Sequence, residues 1–359
     1  MKILHLAAAN RWTGAAAPAF AEVEALRAAG IDAHYAYVGG YKLQEKLAHH
    51  EFAHPLILRA QNPLAFFETV NNLERITRRH GFDVVHAHLT YDHWLARFLA
   101  REHPMAIART FHSARTLRSD FFTRSLVRRS GGLFVVNDAL KSAGVLAERE
   151  VIVTPPPLDE RLFSPRGDDV RARYGIDAAT PLVAIIGKVS PGRGFEEALQ
   201  TFAEIRRSRT TARLMIIGHG PHRGTLEALA RRLQIDSAVV WAGYHEDDLP
   251  AHYRAANVLL FTAPGSEEGH RAVIEAMGCG VPPATYPIRG MAGLLGPLSS
   301  RLMASEPRPE ALAAVATDVL AGQGELQISI LQQARMYSFE QSARRLTAAY
   351  ARVMQRTFL

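Results

Sequence analysis

A segment in the second half of the chain carries two carboxylates whose surroundings favour the binding of a hydroxyl-rich ligand. Glu267 follows a Gly/Ser turn, and Glu275 lies within the apolar run 273–277. A helix is expected to begin at His270 or Arg271. Glu267 then precedes the helix and Glu275 lies more than one turn inside it, so the two can reach opposite ends of one ligand. Each carboxylate oxygen accepts one O–H, which suits two neighbouring hydroxyls such as those of a ribose.

Two cations border a Gly/Pro turn earlier in the same half. Lys188 and Arg193 lie in the run 187–194, which follows a strand-like run and precedes a helical one. In an open α/β sheet this position is the carboxyl end of a strand, where ligands bind. The pair is interpreted either as a clamp on a pyrophosphate or as two solvated cations on a surface turn. The run is not a P-loop, because it lacks Gly-x4-Gly-Lys-Ser/Thr.

A second glycine turn, Gly218-His219-Gly220-Pro221, also follows a strand-like run and precedes a helical one. Glycines there permit a ligand to approach the backbone, and a helix N-terminus attracts an anion. A plain tight turn is the alternative. Gly224 falls one residue late for the dinucleotide fingerprint, and no clear acidic partner follows on a second strand.

Histidines cluster in the first half of the chain. His86 and His88 alternate on a predicted strand and share a face, with His93 close by, so a metal site is conceivable. Hydrogen-bonded core or cleft histidines are the preferred interpretation, and no metal ligands are predicted. His112 directly follows another predicted strand.

Two cycles of strand and helix are expected to position these residues. Alternation of strands and helices implies parallel sheets covered on both faces. The predicted strands are 2–6, 31–38, 83–88, 106–111, 133–136, 182–186, 213–217, 239–241 and 258–261.

The domain bounds follow from the length of 359 residues and from a proline-rich linker at 154–165. We expect a first domain over 1–160 and a second over 161–337. A final helix, 338–355 within the segment 338–359, carries an apolar stripe and is expected to cross back onto the first domain.

Bulk composition favours a globular protein of the cytoplasm. No apolar run approaches the roughly 18 residues that span a bilayer, and no signal-peptide pattern precedes the first strand. Cys279 is the single cysteine, so an internal disulfide is excluded.

The positive charge is concentrated in one window. Of the net charge of +7, the window 97–129 contributes +6, as eight Arg minus Glu102 and Asp120. A solvated face and a surface for anionic lipid or an anionic acceptor are the two interpretations. Arg115–Arg129 interleaves cations with apolar residues and predicts an amphipathic helix, either ordinary or lying on a membrane. Nucleic acid is disfavoured because no recognised motif accompanies the charge.

Together these motifs resemble glycosyltransferase family 4, a family of retaining enzymes with the GT-B fold. Its hallmark, Glu-x7-Glu followed by Ala-Met-x-Cys/Ala-Gly-x-Pro, matches 267–282, and its Gly-Arg-x4-Lys-Gly matches 187–194 with the two cations exchanged. Looser matches cover Gly14, the strand 83–88, Thr110-Phe111-His112, the linker, Gly218–Pro221 and the strand end 240–244. The resemblance implies an α/β protein of two Rossmann-like domains whose parallel sheets face each other across a cleft.

The resemblance also implies roles for individual residues. Lys188 and Arg193 would stabilise a leaving nucleoside diphosphate, Glu275 would hold the ribose, Glu267 the donor sugar, and His112 would lie near the transferred sugar. The donor-binding residues would be Gly14, Gly187, Gly218, Gly220, Pro221, Tyr244, Glu268, Gly269, His270, Arg271 and Glu275. The substrate would be a UDP- or GDP-linked sugar, with neither a cofactor nor a metal.

Two departures from the family pattern concern the edges of this site. Pro283 and Pro287 weaken the strand that normally follows Pro282. The first loop has one glycine, Gly14, where the family often has two.

The sequence therefore predicts a retaining, metal-independent glycosyltransferase for a saccharide or lipid-linked acceptor of envelope polysaccharide or glycolipid assembly, cytoplasmic or peripheral on the membrane. A sugar-nucleotide epimerase or phosphorylase of the same fold is one alternative, and a non-catalytic nucleotide-sugar-binding protein is another. An NAD-dependent oxidoreductase is disfavoured, because Gly14 is followed by alanines rather than the required glycines.

Overall fold

A computed structural model describes residues 1–59, 62–147, 149–264 and 268–358. The chain forms two compact units. The first unit contains Met1–Pro157, Glu268 with Gly269, and Ser338–Leu359. The second contains 158–264 and His270–Tyr337.

The strands of both units are numbered in chain order. They are β1 Lys2–Ala7, β2 Asp32–Val38, β3 Ala53–Ile57, β4 Val84–Ala87, β5 Ala106–Phe111, β6 Gly132–Val135, β7 Val151–Val153, β8 Leu182–Ile186, β9 Arg213–Ile217, β10 Val239–Gly243, β11 Val258–Phe261 and β12 Pro283–Thr285.

The α-helices are numbered in the same way. They are α1 Ala16–Ala28, α2 Lys42–Leu47, α3 Pro63–His80, α4 Thr90–Glu102, α5 Phe121–Arg128, α6 Phe195–Ser208, α7 Arg223–Arg232, α8 Leu249–Ala255, α9 Arg271–Gly278, α10 Met291–Leu295, α11 Ser299–Leu302, α12 Pro309–Ala321, α13 Gln323–Arg335 and α14 Phe339–Phe358.

Each unit is built on one fully parallel sheet. The first sheet has seven strands in the order β3-β2-β1-β4-β5-β6-β7, and the second has five in the order β10-β9-β8-β11-β12. Parallel strands need crossover connections, and helices supply them here. The predicted α/β fold class is confirmed.

The core of the first unit has two layers, one on each face of its sheet. On one face Tyr35 and Phe134 pack with α1 and α14, and on the other Leu4 and Val85 pack with α3 and α4. Burying each such side chain stabilises the fold by about 1.5–3 kcal/mol. Gly132 permits the close approach of α14, because a Cβ there would overlap the side chain of Val353.

Local sequence signals explain where several helices begin and end. Asn62 accepts a hydrogen bond from the amide of Ala65 at 2.9 Å, which caps α3 ahead of its first proline. Gly81 ends the same helix with a φ of 66°.

The nine predicted strands are all present, with bounds within two residues of those expected. Three further strands are not among these nine, and each is an outermost strand of its sheet. The strand β3 has Pro55 in its middle, β12 begins with Pro283, and β7 has only three residues. Edge strands tolerate proline and short length because one side needs no ladder hydrogen bonds.

The helix predicted over Arg115–Arg129 is wrong as a single element. The chain forms a 3₁₀ turn at Ala114–Thr116 and then the separate helix α5. The side chain of Asp120 caps α5 by accepting from the amide of Thr123 at 2.9 Å. This cap fixes the start of the helix at Phe121, six residues later than the basic pattern suggested.

Candidate functional site

The loops at the carboxyl edge of the second sheet carry most of the predicted donor-binding residues. Gly187 and Lys188 follow β8, Gly218 follows β9, and Tyr244 follows β10. These three strands are neighbours in the sheet. Because their carboxyl ends meet at one edge, the fold brings these residues together where parallel sheets bind ligands.

Two glycines join the loops after β8 and β9. A Cβ at Gly218 would overlap the carbonyl oxygen of Gly187, and one at Gly220 would overlap that of Val189. The loops continue the pairing of their strands, since the amide of Gly187 donates to Ile217 at 3.0 Å and that of Val189 to His219 at 3.1 Å. The glycines therefore let two backbone loops approach each other, and this fixes the backbone around Lys188. Pro221 then follows in the turn that leads to α7.

The two predicted phosphate-binding cations differ in exposure. Lys188 is exposed and Arg193 is half-buried. Within the described ranges neither forms an ion pair. The next residue, Gly194, begins α6 in the left-handed region with a φ of 79°, and its carbonyl accepts from the Thr262 hydroxyl at 2.6 Å. This bond holds the cation loop to the end of β11.

Glu275 is a buried carboxylate with two partners in the second unit. The Tyr253 hydroxyl donates to its Oε2 at 2.9 Å, and Arg271 Nε lies 3.2 Å from its Oε1. Burial raises the pKa of Glu275, while Arg271 and the Tyr253 hydrogen bond lower it. Tyr253 comes from α8 and carries no signal in the sequence that relates it to Glu275.

His270 precedes α9 in a backbone conformation that is rare outside glycine. Its φ is 52°, and its side chain is only 1% exposed. The ring nitrogen Nε2 donates to the carbonyl of Arg289 at 2.7 Å. The ring is therefore held in place by the second unit itself, and its predicted contact with a sugar stays a prediction.

Tyr244 presents an aromatic ring beside the glycine loop. It is 58% exposed, and its ring meets that of His219 edge-on with centroids 5.3 Å apart. Its hydroxyl donates to Glu246 at 2.9 Å. Partial burial and then the Glu246 carboxylate raise the pKa of Tyr244 to about 12. An exposed ring next to the predicted phosphate-binding loop would suit stacking on a nucleobase.

His112 lies at the end of β5 in the first unit. Its Nε2 is 3.1 Å from Nδ1 of His88, and its Nδ1 has no hydrogen-bond partner among the described residues. Burial, and secondarily the charge of Arg109, lower the pKa of His112 to about 3. The imidazole is therefore neutral near pH 7.

Glu268 belongs to the first unit, where the backbone of His112 accepts from its amide at 2.7 Å. Its Oε1 accepts from the amide of Ala114 at 2.8 Å, and Asn137 donates to its carbonyl at 2.6 Å. The carboxylate thus caps the 3₁₀ turn after β5, a role that the sequence did not indicate. Its predicted contact with the donor, like that of the buried Gly269, stays a prediction, and Glu267 lies outside the described residues.

The predicted glycine loop of the first unit leads directly into α1. Gly14 lies in a turn, and the Thr13 hydroxyl accepts from the amide of Ala16 at 3.1 Å. This bond satisfies one of the free amides at the helix start. The turn therefore presents the N-terminus of α1 beyond the carboxyl end of β1.

The histidines of the first unit form a larger buried group than the sequence indicated. His86 and His88 lie with His5 and Glu22, whereas His93 is bonded separately to Ser130 at 2.7 Å. Burial lowers the pKa of His5 to about 3 and raises that of Glu22 to about 8. The sequence signal that could have included His5 was its place on β1, which pairs with the His86 strand β4 in the sheet.

The basic window is not wholly a surface. Arg109 is only 1% exposed and lies over the Phe111 ring, so its inclusion in a basic face is wrong. On α5, Phe121 and Phe122 are 73% and 63% exposed, whereas Leu126 is buried. The exposed part of the window therefore combines arginines with two unpacked aromatic rings.

Across the described part of the chain, no helix has both the length and the apolar character required to cross a bilayer.

Two family models match the chain. The family model for glycosyl transferases group 1 matches residues 168–336, and that for Glycosyltransferase Family 4 matches residues 12–160. The chain is 27% identical over 208 residues to a 2-deoxystreptamine glucosyltransferase of Streptomyces kanamyceticus, covering 55% of this chain and 53% of that one. It is 29% identical over 213 residues to a D-inositol 3-phosphate glycosyltransferase of Segniliparus rotundus, covering 56% and 47%.

The chain thus spans about half the length of the curated relatives it matches. Among solved structures, Anabaena HepE in complex with UDP has a TM-score of 0.79 at 16% identity, with 98% of this chain and 100% of that chain covered. That likeness shows the fold. Since the two family models cover most of both units, the chain belongs to glycosyltransferase family 4.

Proposed function

We propose that this protein transfers a sugar from a nucleoside diphosphate sugar to a hydroxyl of a saccharide or lipid-linked acceptor, with retention of anomeric configuration. The relatives are named as glycosyltransferases, and HepE was solved with UDP. A UDP- or GDP-linked donor is therefore the proposed substrate, bound by the second unit, and the acceptor is bound by the first.

The observation that carries the proposal is the pair of cations at the end of β8. Lys188 and Arg193 extend from a loop that the glycines fix, and neither is neutralised by a described residue. A departing diphosphate develops negative charge, and each preorganised cation or donor contributes about 3 kcal/mol to its stabilisation. We propose that these cations, without a metal ion, stabilise the leaving group.

Glu275 is the proposed ligand of the donor ribose. The Tyr253 hydroxyl and Arg271 each occupy one of its oxygens, and each oxygen keeps a further lone pair for a ribose hydroxyl. Tyr244 would stack on the base. Glu267, with Glu268, Gly269 and His270, would contact the donor sugar.

In the proposed step, the acceptor oxygen attacks the anomeric carbon from the same face from which the leaving group departs. The acceptor oxygen bonds to the anomeric carbon as the bond to the diphosphate oxygen breaks, and that oxygen takes the acceptor proton. His112 would lie near the transferred sugar and orient one of its hydroxyls. A separate protein base is not required.

The acceptor is proposed to be lipid-linked or otherwise anionic, as in envelope polysaccharide or glycolipid assembly. The exposed arginines and the two exposed phenylalanines of α5 support an association with an anionic membrane. The protein would then act at the inner face of the membrane without spanning it. Nucleic acid is not proposed as a partner.

A donor screen followed by turnover tests the proposal. Thermal-shift measurements against UDP- and GDP-sugars should identify a stabilising donor, because a ligand at a hundred times its Kd adds about 2.7 kcal/mol. NMR of the product should then show the donor's anomeric configuration. Lys188→Ala and Arg193→Ala should each lower kcat about a hundredfold, whereas Arg232→Ala, an exposed arginine on α7, should not change it.

Different outcomes select the alternatives. Binding without hydrolysis or transfer, with any acceptor extract, would indicate a non-catalytic binding protein. Conversion of the free donor into its epimer would indicate an epimerase. An inverted product, or full activity in both cation variants, would contradict the proposed chemistry.

A further inference from the structure

Three histidines and a glutamate converge in the core of the first unit. His5 on β1 and His86 on β4 are register partners in the sheet, and His88 lies two residues beyond His86 on the same face. Glu22 reaches this group from α1, which packs on that face. All four side chains are at most 2% exposed.

One carboxylate oxygen faces all three imidazoles without bonding to any of them. Glu22 Oε2 lies 3.7 Å from His5 Nδ1, 4.0 Å from His86 Nδ1 and 3.7 Å from His88 Nε2. These separations are too long for hydrogen bonds, and Oε2 has no hydrogen-bond partner among the described residues. A buried carboxylate oxygen without a partner is costly, and either a proton or a cation shared with the imidazoles would relieve that cost.

The four atoms lie within 4.8 Å of one another, so that a rearrangement of the side chains could bring them around one ion. Ligands bound tetrahedrally at about 2.0–2.1 Å lie roughly 3.3 Å from one another. The three Glu22 distances, 3.7, 4.0 and 3.7 Å, all exceed that value, and the distance to His86 does so most. The His5 Nδ1 to His88 Nε2 distance, 2.9 Å, falls short of that value. To complete the polyhedron, Glu22 would shift inward, the His5 and His88 rings would separate, and His86 Nδ1 would exchange the Tyr350 hydroxyl for the ion.

The outward-facing nitrogens of the three rings are already bonded as in a metal site. His86 Nε2 lies 2.7 Å from the Thr110 hydroxyl, and His5 Nε2 lies 3.2 Å from the Tyr350 hydroxyl. His88 Nδ1 faces His112. Metal-bound histidines usually donate their other ring N–H to such a partner, which fixes the tautomer. The inner nitrogens are hydrogen-bonded here, since His5 Nδ1 lies 2.9 Å from His88 Nε2 and His86 Nδ1 lies 2.6 Å from the Tyr350 hydroxyl. A bound ion would replace both of these contacts.

We propose that His5, Glu22, His86 and His88 bind one divalent transition-metal ion, with Zn²⁺ as the first candidate. Three imidazole nitrogens and one carboxylate oxygen are ligands that zinc prefers in proteins. Because four protein ligands complete a tetrahedral shell, the ion is structural: it links β1 and β4 to α1 and takes no part in the transfer step. This inference does not depend on the proposed function.

The ion also has a consequence for His112. When the metal occupies Nε2 of His88, the ring proton lies on Nδ1 and is donated to Nε2 of His112. The proton of His112 then lies on its own Nδ1, the atom that lacks a partner. The site would thus hold His112 in the tautomer that presents an N–H donor.

Metal analysis of the full-length protein, purified without a metal-affinity column, tests the proposal. Wild-type protein from zinc-supplemented cells should contain one zinc per chain by plasma mass spectrometry. Glu22→Gln keeps the size of the side chain but replaces the anionic ligand, and its zinc content should be at least about fivefold lower. Protein expressed with Co²⁺ should show the intense visible bands of tetrahedral cobalt, and Glu22→Gln should lose them.

His93→Gln is the matched control, since this buried histidine lies outside the cluster. Its metal content should equal that of the wild type. Zinc-edge absorption spectroscopy on the wild type needs no variant and should show four N/O ligands with imidazole scattering. Wild-type protein that contains no metal, or a folded Glu22→Gln that keeps the full zinc content, would overturn the assignment.

Discussion

Arg271 Nε lies 3.2 Å from Glu275 Oε1, one turn further along α9. This pair is half-exposed on the arginine side and buried on the carboxylate side. Burial still outweighs the arginine, because the pKa of Glu275 is raised overall. The second partner, Tyr253, therefore contributes to keeping a carboxylate ionised at this position.

Tyr253→Phe should destabilise the second unit, and more so as the pH rises. A hydrogen bond to a charged acceptor contributes about 1.5–3 kcal/mol. Its loss raises the pKa of Glu275 further, and a carboxyl whose folded pKa is raised loses stability as pH increases above the unfolded value of 4.5. Urea unfolding should show a gap between variant and wild type that widens once the pH passes the raised folded pKa of Glu275 in the wild type.

The control for this prediction is Tyr337→Phe. The Tyr337 hydroxyl donates to the carbonyl of Leu294 at 2.6 Å, which does not titrate. The Tyr337→Phe substitution should lower the free energy of unfolding by about 1 kcal/mol, and by the same amount at every pH. If the difference in stability between Tyr253→Phe and the wild type were also independent of pH, the Tyr253 hydroxyl would not be stabilising an ionised Glu275.

Gly220→Ala should weaken both the fold and donor binding. The new Cβ would overlap the carbonyl oxygen of Val189, a backbone atom that cannot rotate away. Overpacking of this kind costs about 1–3 kcal/mol, and the resulting shift of the loop moves Lys188. Denaturant unfolding and the Kd for the nucleotide, measured by calorimetry, should both change.

Gly224→Ala provides the matched control four residues on. Nothing lies within 4 Å of a Cβ at Gly224, which is in the first turn of α7. Alanine stabilises a helix by up to about 1 kcal/mol relative to glycine. Equal effects of the two substitutions would contradict the role assigned to Gly220.

The α5 surface should bind anionic vesicles through its cations and its exposed rings. Arg128→Glu combined with Phe121→Ser should lower partitioning onto equimolar phosphatidylserine–phosphatidylcholine vesicles at least about tenfold, since each charge near the surface contributes about 1 kcal/mol. Flotation measures this directly. Transfer to a soluble acceptor should be unchanged.

Arg231→Glu in α7 is the control, an exposed arginine of the second unit. It should leave flotation unaffected. Equal losses in both variants would indicate an unspecific response to net charge, and no loss in either would remove the membrane from the proposed function.

The sequence predicted the central strands and the chemistry-bearing loops because both depend on local patterns. It did not predict what the loops pack against. The glycines Gly218 and Gly220 were expected to make room for a ligand, whereas the structure shows that they make room for the loop after β8. Glu22 and His5 join His86 through sheet register and helix docking, which no local spacing encodes.

The pairing of His34 with His54 gives a last prediction, on acid stability. His34 Nδ1 lies 2.8 Å from His54 Nε2, and the pKa of His54 is lowered to about 4 by burial and then by the neighbouring cations. The other charged or titratable groups around this histidine pair are Arg27, Asp32, Glu51, Arg79 and His80.

The pKa of His54 is about 6.5 in the unfolded chain and about 4 in the folded protein. The contribution of His54 to the stability of the fold is therefore complete above pH 6.5 and is lost as the pH falls towards 4. The unfolded chain takes up a proton in that range and the folded chain does not. His54→Gln removes the titration, so its free energy of unfolding should fall less steeply than that of the wild type between these pH values. His49→Gln, an exposed neighbour, should keep the wild-type slope. Parallel curves for all three proteins would show that His54 protonates equally well in the folded state.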